Sequence, residues 1–132
     1  MNVEKRDEIL FGDFRPERYG PRGNYAPKFR SLSLNQVQKL VEEGAMDSEM
    51  KQNASPTTRE FMDYMAMFPD ARVSGFATYR PTDTVAVITT VTLRTGDSIA
   101  IATFASKFHD ADEFTIYWDI NGNQFECYAW WD

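Results

Sequence analysis

The chain has 132 residues, one cysteine and a formal net charge of −6, and 42% of its residues are hydrophobic and 14% aromatic. That length sets one domain, and the apolar content suffices for a core, which excludes a globally disordered chain. A single thiol excludes an intramolecular disulfide, no stretch approaches the ~18–20 apolar residues of a membrane span, and the acidic balance disfavours duplex nucleic acid as a partner.

The charge is uneven, with +2 over residues 1–30 and −8 over the rest. The opening MNVEKRDEILFGDF is charged throughout and lacks the apolar run of a signal peptide, so a soluble cytoplasmic protein is expected. Residues 1–31 hold Pro16, Pro21 and Pro27 and show no helical or strand period, which predicts an extended or disordered arm. A short helix across Val3–Leu10 also fits there. The arm interleaves Arg15, Arg18 and Arg22 with Phe14 and Tyr19, a pattern suited to stacking on single-stranded nucleic acid. The acids in the same segment favour a plain solvated tail instead.

A single α+β domain is expected over residues 32–132. Ser33 and Gln36 form a capping box, Leu32 and Val37 a hydrophobic staple, and Leu34, Val37, Leu40 and Val41 an apolar stripe that ends at Gly44. Residues 45–54 fit a loop or a second short helix. A second main helix is predicted over 56–68, with Ser55 as its N-cap and Pro69 as its stop; Phe61, Tyr64, Met65 and Phe68 line one side.

Strand patterns follow. Arg72–Tyr79 carries Gly75 as a bulge candidate, residues 80–83 form a turn, and Val85–Leu93 alternates. Ile99–Phe108 is apolar on both sides, as a central strand would be. Asn121-Gly122 between two apolar-aromatic runs signals a hairpin with a type I′ turn. Its register sets Trp118 opposite Phe125, Ile116 opposite Cys127, and Phe114 opposite Ala129. The predicted architecture is α+β: two N-terminal helices packed on a curved five-stranded antiparallel meander sheet, with Phe114, Ile116, Trp118 and Phe125 as the floor beneath the helices.

Few residues suggest chemistry. His109, Asp110 and Asp112 bunch in one tight turn, where Asp is common for backbone reasons, so no metal site is assigned. Cys127 points inward and reads as structural rather than nucleophilic. Nucleotide-binding, zinc-protease and nucleophile-elbow motifs are missing, so neither catalytic residues nor a cofactor are assigned. The outward side of the hairpin is more telling. It gathers Tyr117 opposite Glu126, then Tyr128 and Trp130, more aromatic surface than a solvated sheet needs.

These four residues are the expected binding site of a small non-enzymatic interaction domain whose partner is another protein or a second copy. Two alternatives stand beside it. One is a ligand-binding or enzymatic pocket between helices and sheet, lined by Phe61, Met65, Phe104, Phe114 and Trp118. The other is an acidic mimic of nucleic acid, motivated by the −8 body.

Overall fold

Residues 3–12, 26–78 and 85–132 are described in the computed structural model of the chain. Among them the order is α1 (Val3–Phe11), β1 (Lys28–Leu32), α2 (Leu34–Glu42), α3 (Thr58–Met67), β2 (Arg72–Ala77), β3 (Ala86–Thr95), α4 (Ser98–Phe108), β4 (Glu113–Asp119) and β5 (Gln124–Trp130). The fold is α+β, with an open antiparallel sheet in the order β1-β2-β3-β5-β4.

The helix ends follow from local chemistry. Gln36 N–H donates to the Ser33 hydroxyl while Ser33 N–H donates to the Gln36 side chain, closing the expected capping box of α2. At its other end Gly44, at φ 77°, lets Gly44 N–H reach Val41 O and Ala45 N–H reach Leu40 O. That pair of bonds is a Schellman stop, and a left-handed φ makes glycine the fitting residue. The α3 boundary is corrected: its cap is Thr57, in a capping box with Glu60, two residues past the expected Ser55. Ser55 instead accepts from Gln52 N–H within the loop that fills residues 45–57.

The sheet has five strands, but not the expected five. The stretch 99–108 is helix α4, capped by the Asp97 carboxylate, which accepts from Ile99 and Ala100 N–H. Ala100, Phe104 and Phe108 form its buried stripe at helical spacing. The fifth strand is β1, inside the stretch read as an arm. It pairs with β2, and α1 in the same stretch buries Leu10 with the core. The arginine–aromatic segment 13–25 and the turn 80–83 lie outside the described residues. Because α4 separates β3 from β4, the last hairpin folds back so that β5, not β4, lies beside β3; a simple meander is thereby interrupted.

The hairpin register is the expected one, with Phe114↔Ala129, Ile116↔Cys127 and Trp118↔Phe125. Its turn is not. Residues 120–123 form a four-residue connection in which Asn123 (φ 52°), rather than Asn121 and Gly122, takes the left-handed conformation. A four-residue loop closes the same register as a two-residue turn because both keep the parity of facing residues.

Two bulges bend the sheet. On β3, Ser74 pairs with Thr90 and Gly75 with Ile88, leaving Thr89 as the extra residue. The extra residue reverses the alternation: Ala86 and Ile88 face the core before it, Val91 and Leu93 after it. Gly75 is thus the residue opposite the bulge rather than the bulge itself. A Cβ there would lie 1.8 Å from the Val87 carbonyl oxygen, so only glycine fits. On β1 the pairing slips between Phe29 and Leu32, where Ser31 has φ 58°.

All four helices contribute to one core against one side of the sheet. Phe61, Tyr64, Phe104, Phe108 and Trp131 form its centre, with ring centroids 5.0–5.9 Å apart. Tyr64 donates its hydroxyl to Ala100 O at 3.0 Å, which ties α3 to α4. The Arg6 guanidinium on α1 is fully buried. It donates to Thr78 O at 2.6 Å and Val85 O at 3.4 Å and contacts the Asp7 carboxylate at 3.1 Å.

Candidate functional site on the open side of the sheet

With the helices on one side, the other side of the sheet carries no secondary structure among the described residues. Alternation decides what stands there. On β5 the inward residues are Cys127 and Ala129, and the outward ones are Glu126, Tyr128 and Trp130. On β2 Gly75 and Ala77 face in while Ser74 and Phe76 face out; on β3 past the bulge Thr90, Thr92 and Arg94 face out.

The outward surface is hollowed between β1 and β5 into a concavity of about 600 Å³. Phe76, Thr90 and Thr92 form its floor, Lys28 and Arg30 stand on one wall, Tyr128 and Trp130 on the other, and Asp132 and Gln52 close one end. Of the four residues predicted from sequence, Tyr128 and Trp130 line this hollow, both half-buried. Trp130 pairs across the sheet with Thr90 and Glu113, which holds its backbone from both sides.

Tyr117 and Glu126 lie further toward the hairpin tip, outside the hollow. They are cross-strand neighbours, and the Tyr117 hydroxyl donates to the Glu126 carboxylate. Arg94, missed from sequence, completes this group. Its Nε meets Glu126 Oε1 at 3.0 Å and its second nitrogen meets Asp119 Oδ2 at 3.0 Å. The bond to Glu126, a carboxylate, holds the Tyr117 proton more firmly and raises its pKa. Burial, with Glu113 nearby, raises that of Tyr128 as well. Neither phenol is activated as a base, and the network ties β3, β5 and β4 together.

Lys28, Arg30, Phe76 and the threonine floor were also missed. The signal for the threonines was present in the alternation of Thr90 and Thr92, and it continues through Arg94. Lys28 and Arg30 carried no such signal, because a five-residue bulged strand has too few residues to show a period.

The other candidates fall elsewhere. Phe61, Met65 and Phe104, expected to line a pocket, are fully buried and packed among their neighbours, and Phe114 stacks on Phe104 at 6.0 Å. Trp118 corrects the expectation of a core residue: it is 48% exposed and rests edge-on against Phe125. That row is the last inward-facing one before the hairpin turn, and Ile120 and Ile99 near the same end are 80% and 69% exposed.

His109 turns its ring onto the end of α4, with Nδ1 3.1 Å from Ala105 O, while Asp112 accepts from Asp132 N–H. Among the described residues no three His, Cys, Asp or Glu side chains are grouped to hold a metal. Cys127 is buried, and burial pushes its thiol up to about 11, the reverse of what a nucleophile needs. Among the described residues no helix is long and apolar enough to cross a membrane. Compared with known proteins, the chain matches no family model, no curated protein and no solved structure.

Proposed function

We propose that the chain is a small non-enzymatic binding domain that takes a protein partner on the open side of its sheet, through Tyr128 and Trp130 in the hollow and Tyr117 and Glu126 beside it. One observation carries this reading. On β5 Tyr128 and Trp130 point away from the chain's own core, onto the wall of an open concavity, while the small residues beside them, Cys127 and Ala129, point inward. Half-buried Tyr and Trp fixed on a rigid sheet lose little freedom on contact, which is why they recur as anchors in interfaces. Hydroxyl groups on the floor and cations on the wall supply polar partners around those anchors.

The reading favours binding over catalysis because Tyr117 and Tyr128 hold their protons and Glu126 is paired with Arg94. The acidic-mimic alternative draws little from the same surface, where Asp119 and Glu126 both contact Arg94.

The test compares wild type with Tyr128→Ala/Trp130→Ala in affinity capture and in sedimentation. Loss of every captured or self-associated species, with the circular dichroism spectrum retained, is expected. Unchanged capture and unchanged association by the folded double variant would overturn the assignment of this surface.

A further inference from the structure

The two outer strands of the sheet meet solvent differently. β1 has five residues, carries Lys28 and Arg30 outward, and is bulged where Ser31 adopts φ 58°. Charge and a bulge are devices that keep an edge from pairing with another chain. β4 has no bulge, and its charges, Glu113 and the Arg94-paired Asp119, stand only at its two ends. Its seven residues pair one for one with β5, from Glu113↔Trp130 to Asp119↔Gln124, without a register shift. It contains no proline, glycine or lysine. Its outer edge has no strand beside it among the described residues. Alternate residues therefore offer unpaired N–H and C=O groups along roughly 23 Å of straight backbone. Beside them Tyr117 (52% exposed) and Trp118 are held in place by Glu126 and Phe125.

We propose that β4 accepts an extended segment of another protein as a sixth strand, and that this segment carries β-branched residues between basic ends. Charge selects the occupant. Glu113 opens the strand and Asp119 closes it, with Asp110 and Asp112 just before. A second copy pairing antiparallel about Ile116 would set Glu113 against Asp119 at both ends, and a parallel copy would set like against like. Both arrangements are repulsive across a ladder. A lysine or arginine at each end of the incoming strand removes that repulsion and replaces it with attraction. Glu113 forms no ion pair among the described residues, so its charge is available to a partner. The backbone supplies affinity, and the charged ends supply orientation and selectivity.

The experiment titrates the full chain with two capped heptapeptides, Lys-Val-Thr-Ile-Thr-Val-Lys and the same sequence with Glu at both ends. Amide hydrogen exchange is followed along the chain. The lysine-ended peptide is expected to slow exchange over residues 113–119 and to bind on the order of five-fold more tightly at low salt. Glu113→Lys, a change at an exposed position, is expected to remove that preference. The proposal is overturned if neither peptide slows exchange over 113–119, if both act equally on wild type, or if protection appears over 28–32 instead. Self-association that protects 113–119 without peptide would overturn the choice of occupant.

Discussion

The two sides of the sheet distribute size in opposite ways. The side under the helices is floored in its middle by Cys127, Ala129, Gly75 and Ala77, whereas the open side carries Tyr128, Trp130 and Phe76 at the neighbouring positions. The covered core takes its volume from the helices and the chain end: Phe61, Tyr64, Phe104, Phe108 and Trp131. Small floor residues in the middle of the sheet let those rings settle close to it, between the larger strand residues Phe29, Leu32, Val91 and Leu93. The outward rings do nothing for that core. The difference is one of cover: the inward side is packed beneath helix aromatics, and the outward rings of β5 have no helix or strand over them among the described residues.

Four substitutions or conditions break or sharpen this division. The largest effect is expected at the covered side: Phe108→Ala removes a ring in contact with Phe61, Tyr64, Phe104 and Trp131 and costs about 4 kcal/mol. Trp130→Ala on the open side costs about 1 kcal/mol, and denaturant unfolding of the two variants measures the contrast. Gly75→Ala comes next, at about 3 kcal/mol, because its Cβ would collide with the Val87 backbone across the bulge. A near-neutral result by thermal unfolding would mean that the sheet's curvature is not fixed there.

The third is a pH effect from the covered side. Burial raises the Cys127 thiol to about 11, and burial also raises the Tyr64 phenol. Each group keeps its proton in the folded chain after the unfolded chain has lost it. The thiol's contribution is therefore complete below its unfolded pKa of about 8.5 and is lost as pH rises toward 11, and the phenol's starts to fall only above its unfolded pKa of about 10. For the thiol the loss is on the order of 2 kcal/mol. Tm should be level between about pH 6.5 and 8 and fall above that, with Cys127→Ala giving a shallower fall. The smallest effect is on the open side: Tyr117→Phe deletes an exposed hydroxyl contact with Glu126 and should leave the denaturant midpoint unchanged within error.

Legibility from sequence followed how much of each element's signal was local. The α2 cap and stop and the hairpin pairing were readable because they depend on neighbouring residues or on strict alternation. The strand read over 99–108 was a helix because an apolar run with alanines satisfies both periods. The deciding clue was the Asp97 cap with Ala100, Phe104 and Phe108 four apart. β1 was hidden by its shortness and bulge; the helix over residues 3–10 was readable, but its docking was not, because Arg6 and Asp7 suggest solvent and both are buried. At the site, Tyr128 and Trp130 could be named from the alternation of the hairpin alone. The hollow they line could not, because it forms only when β1, three strands away, is in place.

The Arg6 anchor has a consequence for the order in which the chain takes shape. Its carbonyl acceptors lie 72 and 79 residues downstream. Helix α1 can therefore pack on β1 and α2 as soon as they form, through Lys5–Glu43 and the Gln36 bond to Ile9 O, but Arg6 reaches these two acceptors only once β2 and the start of β3 are in place. Nine residues alone make a marginal helix, so the long-range bonds of Arg6 tie its position to the completed middle of the sheet.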